Sequence, residues 1–280
     1  MRGAVALIAA TTVHQAVRRK LVLMAAVACG GFLLLYGLAF GAAIENASNV
    51  INAASRLIQR EAASSFMLLG LYAADLLTAT IAILAASDTI SGEISSGAMQ
   101  TLACKPVARW QIFLGKWVGF VLLLTALLAV LQGGVMLIAW GFTGYSAPNI
   151  AAGLGLLWLE MVVLVTITLL WGTRLSSLAN GVLSLGLFGL AFLGGWIEQL
   201  GAATQHVRVV QIGIVASLIM PSEALWRRAA FDMRSPLSAA VNFGPFTWAS
   251  VPSGLMVVYA VVYAAVALLI GLRSFATRDL

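Results

Sequence analysis

The chain has 280 residues, 61% of them hydrophobic and only 9% charged, with a formal net charge of +6, against roughly 25% charged residues in a typical globular domain. A mean hydropathy of +1.00 implies more apolar surface than a water-soluble fold can hide, so the bilayer must solvate most of the chain. A soluble enzyme, a nucleic-acid binder and a disordered tail are thereby excluded, and the basic residues gather at the ends of apolar runs instead of forming a stripe.

Taken from the N-terminus, Ala6, Ala10, Val13 and Val17 share one helical face opposite Thr11, His14, Gln15 and Arg18, although Leu7 and Ile8 interrupt the pattern. Residues 1–20 therefore read either as a helix lying in the membrane interface or as a downward extension of the first span. Runs of about 20 apolar residues then predict six spans: Leu21–Ile44, Phe66–Ser87, Ile112–Trp140, Ile150–Gly172, Gly181–Ile197 and Gly254–Leu272. A further apolar stretch, Val207–Met220, is short and stopped by Pro221, and reads as re-entrant or interfacial within an external segment at 198–252. No cleavable leader is expected, because the first run is longer than a signal-peptide core and lacks a small-residue cleavage site.

With the N-terminus inside, six crossings place ten Lys and Arg on the inner side and six on the outer side, four of the latter in the long segment before the last span. The positive-inside rule then favours both termini in the cytoplasm. Cys29 lies in an apolar run and Cys104 in a polar segment, so neither a disulfide nor a Cys/His metal site is expected. Met220, Met233 and His206 have no ligand-like spacing, and no metal site is expected there either.

The polar segment at 88–110, between the second and third spans, is the most informative. Ile94, Ala98 and Leu102 fall at four-residue steps, flanked by Ser91, Glu93, Ser95 and Ser96 and closed by Lys105-Pro106. That spacing predicts a short cytosolic helix whose apolar seam suits a groove on another protein. Arg109 and Lys116 follow as a basic turn entering the membrane. The run Gly92-Glu93-Ile94-Ser95-Ser96-Gly97, followed by Leu102, Lys105-Pro106, Arg109 and Gly115-Lys116, resembles the cytoplasmic segment of ABC-2-type exporter permeases. It is similar in particular to the branch associated with multicopper-enzyme maturation, which includes the permease for nitrous oxide reductase assembly.

That resemblance implies an all-α polytopic fold: one permease domain over 1–280 with six spans, an N-terminal interfacial helix, a cytosolic coupling helix and a re-entrant external segment before the last span. It also implies a second permease subunit, a cytosolic ABC ATPase subunit that binds ATP and Mg, surrounding lipid, and room for a periplasmic or extracellular accessory protein. The cell inner (plasma) membrane is the implied location, and no nucleic-acid partner is implied. ATPase contact is expected through Gly92, Glu93, Ile94, Ser95, Ser96, Gly97, Leu102 and Arg109. Arg174 and Ser176, in the short loop between spans four and five, are either a second contact or a plain turn. No Gly-x-x-x-x-Gly-Lys-[Ser/Thr] occurs in the sequence, so nucleotide hydrolysis would fall to the partner and the chain carries no cofactor of its own.

Asp75 and Glu160 fall near the middle of spans two and four, where a lipid-facing charge costs about 2.5–3.5 kcal/mol on insertion scales. They read either as part of a translocation path or as carboxyls hydrogen-bonded to neighbours such as Thr78, Thr166 or Thr168. Gln132 reads as helix glue, and the tryptophans as interfacial anchors. Two readings from other classes compete with the transporter: an intramembrane enzyme, and a structural or assembly subunit without cargo. The first needs a base within the membrane, and His14 and His206 lie outside the predicted spans.

Overall fold

The computed structural model describes residues 2–18, 20–50, 55–95, 107–235 and 250–277. The described residues are helical apart from short connections: α1 (Arg2–Arg18), α2 (Lys20–Val50), α3 (Ser55–Ser95), α4 (Arg109–Thr143), α5 (Ile150–Gly172), α6 (Ser177–Ala203), α7 (Val207–Ile219), α8 (Ser222–Met233) and α9 (Gly254–Ala276). Among them, six helices are long and apolar enough to cross a membrane: α2, α3, α4, α5, α6 and α9. These match the six spans read from hydropathy. Leu34, Leu35 and Leu38 on α2, and Val258, Val262 and Leu269 on α9, are exposed apolar side chains of the kind that a bilayer solvates.

The centre of the bundle is α3 and α5. Each has more than half of its most apolar stretch buried, and α3 packs against α4, α5 and α6 while α5 also meets α8 and α9. Leu71, Ala74, Ala79, Ala82 and Ile83 of α3 and Leu157, Val163, Leu164 and Val165 of α5 all belong to this core. Alanine and other small side chains keep the backbones close, which is how helices pack where lipid removes the hydrophobic driving force.

Two glycine pairs spaced four residues apart find distinct partners. Gly37 and Gly41 of α2 lie against Ile138 and Phe142 of α4, and Gly115 and Gly119 of α4 receive Ile8 and Thr12 of α1. The four-residue steps match on both helices. The N-terminal helix is therefore seated along the start of α4.

One end of the bundle, the platform end, is tied together by polar side chains. Ser177 at the start of α6 donates to Asp88 Oδ1 of α3 at 2.8 Å and shares a 3.0 Å hydrogen bond with Ser91. Asn180 donates to the carbonyls of Ser87 at 3.1 Å and Thr168 at 3.0 Å, joining α6 to both α3 and α5. Thr173 and Ser274 link the end of α5 to α9 at 2.9 Å.

Because α6 starts and α9 ends at the platform, α6 ends and α9 begins at the far end. The connection through α7 and α8 thus enters and leaves on one side of the membrane. It bends by 104° between α7 and α8, at Met220-Pro221, where proline has no N–H to continue α7. The orphaned carbonyls of Leu218 and Ile219 accept from the hydroxyls of Tyr259 and Tyr263 of α9, at 2.5 and 2.9 Å. α7 lies tightly on α6, with Gly194 against Ala216 and Gly213 against Glu198. This is the re-entrant element expected before the last span.

Candidate functional site

At the platform, α3 continues without a break through Asp88, Gly92, Glu93 and Ile94 to Ser95. Residues 88–95 are thus the last two turns of the span and not a separate element. Ser96, Gly97 and Leu102 lie outside the described residues. Glu93 and Ile94 differ from a free docking face. Lys116 of α4 donates to Glu93 Oε1 at 2.6 Å, with the two side chains 3% and 14% exposed, and Ile94 packs against the core. Lys116 is accordingly an interior ion-pair partner, and Ser95 is the exposed residue of this group.

Arg109 begins α4 and donates to the carbonyl of Ala276 of α9 at 3.4 Å. Arg174 donates through Nε to Ser274 Oγ at 3.1 Å. Ser176 is the N-cap of α6, with its hydroxyl accepting from the Ala179 N–H at 3.5 Å. Glu93, Ser95, Arg109, Arg174 and Ser176 therefore stand on one face, built from the ends of α3, α4, α5, α6 and α9. Beside it, Thr12 and Gln15 of α1, Asp88 and Thr89 of α3, and Lys116 line a small cleft of about 40 Å³.

A second group lies at mid-bundle. Asp75 and Glu160 are 2% and 1% exposed, with Asp75 close enough for its charge to act on Glu160. Neither uses the threonines expected to receive it. Thr78, Thr166 and Thr168 instead donate to carbonyls four residues earlier in their own helices, while Asp75 Oδ1 and Glu160 Oε2 make no hydrogen bond among the described residues. Gln132 corrects the sequence reading as well: it is fully buried, and neither atom of its amide is hydrogen-bonded among the described residues, so it does not hold these helices together by that means.

The bent segment brings further charge inward, which hydropathy did not reveal. Glu223 and Arg227 of α8 are 4% and 1% exposed. Arg227 Nη2 donates to Glu198 Oε2 of α6 at 2.7 Å, and Glu223 is within electrostatic range of Asp75, Arg227 and Glu198. Trp226 is buried too, with its ring 4.9 Å from that of Tyr72 of α3, and so is no interfacial anchor. Glu223 and Arg227 are four residues apart, a spacing that puts both on one helical face. That signal was available in the sequence, but the preceding apolar stretch and the two adjacent arginines looked like an outer loop.

Among the described residues, no group of three or more His, Cys, Asp or Glu is arranged to hold a metal ion. Met220 and Met233 are core residues at 1% and 0% exposure. No curated protein matches the chain. The sequence does match the family described as "ABC-2 family transporter protein" over residues 5–280. Six spanning helices, a re-entrant pair before the last of them, and a match covering nearly every residue agree: the chain belongs to the ABC-2 transporter family.

Proposed function

We propose that this chain is the membrane subunit of an ATP-driven exporter, working as a pair of permease subunits with a separate ATPase docked on the platform end. The observation that supports this reading most directly is the platform itself. Hydrogen bonds from Ser177, Asn180, Thr173 and Arg174 connect α3, α5, α6 and α9, so a push delivered at Ser95 or Ser176 would reach several spans together. The absence of a P-loop in the sequence assigns nucleotide chemistry to the partner. On this reading the platform faces the cytoplasm of a cell with both termini inside, in the inner membrane, and the re-entrant pair faces out.

Asp75 and Glu160 would then border the route taken by cargo, since both helices carrying them run through the bundle centre. The likeness of the Gly92–Gly97 run to the multicopper-enzyme branch supports assigning the cargo to maturation of such an enzyme. The decisive experiment is affinity purification of the tagged chain from its native membrane, followed by cysteine cross-linking from Ser95 and Ser176. Recovery of an ABC ATPase cross-linked at both positions supports the proposal. An assembled chain that carries no ATPase overturns it, and a copper enzyme that matures normally without the chain removes the branch assignment.

A further inference from the structure

From the Met220-Pro221 elbow, α8 returns to the bundle with charge on its inner face. Glu223, Trp226 and Arg227 are 4%, 0% and 1% exposed. Glu223 lies over Gly195 of α6, where a β-carbon would collide with it, and Met233 at the other end of α8 lies over Gly153 of α5 in the same way. Trp226 stacks on Tyr72 of α3. The helix is thus seated on three spans and turns on one proline.

What it meets there is negative charge. Asp75 of α3 and Glu198 of α6 act on Glu223, and Asp75 and Glu223 both act on Glu160 of α5. Against these four carboxyls the described residues of the group supply one cation, Arg227, which is already paired with Glu198 at 2.7 Å. Arg228 pairs with Asp232. On the other helices packed against α8, α7 contributes Ser217 beside Arg227 and keeps Arg208 exposed, while α9 contributes Tyr259 and Tyr263 at the elbow carbonyls and has Arg273 in its last turn, at the platform end. The stretch 236–249 contains no Lys, Arg or His.

With every carboxyl ionised, three negative charges would stand uncompensated in the interior. Buried carboxyls in that position neutralise by binding protons instead. No hydrogen bond from the described residues reaches Asp75 Oδ1 or Glu160 Oε2, so these oxygens lack the donors that would favour an ionised form. Their burial would bar a larger ligand, but a proton needs no cavity. We propose that Asp75, Glu160 and Glu223 form a shared proton-binding site that latches α8 onto the bundle, and that loss of its protons releases α8 about the Pro221 elbow. The latch requires neither a docked ATPase nor a cargo.

Glu223 stands outside the six spans and fixes the direction of the effect. Burial pushes its carboxyl up from an ordinary 4.5 to about 8, with Arg227 pulling it down and Asp75 and Glu198 pushing it further up. An acid raised in this way favours the docked helix at low pH: the contribution is whole below 4.5 and is lost as pH rises through about 8. Docking should therefore be firm at about pH 6 and loosened at about pH 9.

Fluorine NMR of the full chain in detergent, labelled with fluorotryptophan, tests this, with the Trp226 signal assigned by its loss in Trp226→Phe. Raising the pH should move Trp226 reversibly toward the position of an exposed indole, while Trp171 at the platform end of α5 stays in place. Asp75→Asn should shift the midpoint up by about one pH unit, a tenfold change in the docking equilibrium; Glu223→Gln carries the same test if that variant fails to assemble. The triple variant Asp75→Asn, Glu160→Gln, Glu223→Gln should keep Trp226 docked throughout. A Trp226 signal that ignores pH in the unmodified chain, or an unchanged midpoint in the triple variant, would overturn the proposal. So would Trp171 moving together with Trp226, since that reports unfolding of the whole bundle.

Discussion

Lys116, about two turns into α4, reaches back to Glu93 at the end of α3 with an N–O distance of 2.6 Å, and both side chains are largely withdrawn from solvent. The pair fastens the two ends of the segment that joins these spans. Breaking one member leaves its partner buried without a counter-charge, which costs about 3–5 kcal/mol for a fully buried pair. Glu93 is 14% exposed, so a loss of roughly 2–3 kcal/mol is expected for Glu93→Gln. Thermal unfolding in detergent should show it, and Glu93→Gln combined with Lys116→Met should recover part of the loss. A Glu93→Gln chain as stable as the unmodified one would mean that the pair contributes little.

The same geometry changes how docking is to be probed. Ile94 packs into the permease core, so Ile94→Asp would unsettle the chain itself as well as any contact with a partner. Ser95→Trp adds bulk at an exposed position and should weaken ATPase recovery while leaving the melting temperature within about 2 °C, as surface changes usually do. Unchanged ATPase recovery from Ser95→Trp would place the contact elsewhere on the platform.

Gly119 lies so close to α1 that a β-carbon there would stand 2.9 Å from Thr12 Cβ and 3.0 Å from the carbonyl oxygen of Ala9. Any larger side chain must push α1 away. Gly119→Leu should cost about 1–3 kcal/mol, the usual range for overpacking, and free the N-terminal helix for faster protease cleavage. Gly133→Leu serves as the control, since a β-carbon at Gly133 would meet none of the described residues within 4 Å. Equal protection of the two variants would show that α1 is not held by this seam.

The six spans were legible because a lipid-facing helix declares itself by apolar length alone, and α2 or α9 needs no tertiary information to be found. The Met220-Pro221 break was legible too, since proline ends α7 for a local reason. Burial of Arg227 and Trp226 was not. An arginine in a polar stretch looks the same whether it faces water or reaches Glu198 across a bend of 104°, and only the fold supplies that partner. The threonines near Asp75 misled for a related reason: within a helix, each gives its one hydroxyl proton to the carbonyl one turn back, so none is left to donate to a neighbouring carboxylate. Ile94 had the right period for a docking seam, but that seam begins on the core-facing side of α3.

Tyr259 and Tyr263 satisfy the last carbonyls of α7, and this defines the elbow that turns α8 into the bundle. Phenylalanine at both positions keeps the rings and removes the hydroxyls. Each lost hydrogen bond should cost about 0.5–1.5 kcal/mol, and deuterium uptake should rise across 214–222 while the platform end is unchanged. Uptake that stays flat in the double variant would assign the elbow to Pro221 alone.

Asp75 and Glu160 pose the remaining question, and stability and activity together answer it. Three carboxyls, from Asp75, Glu160 and Glu223, share one buried region, and placing like groups together without hydrogen bonds from the described residues to Asp75 Oδ1 or Glu160 Oε2 is unfavourable for folding. If these residues served only packing, Asp75→Asn would relieve that strain at no functional cost. If they border the route of cargo, the same substitution should raise stability, by up to about 1 kcal/mol, while lowering cargo-dependent ATPase activity in the assembled complex, the exchange expected where a site is maintained against stability. Glu160→Gln should behave alike, and because the two carboxyls share one buried region, the double variant should lose less activity than the sum of the singles. We expect the second pattern. Full activity in Asp75→Asn and Glu160→Gln complexes that also melt higher would assign both carboxyls to packing.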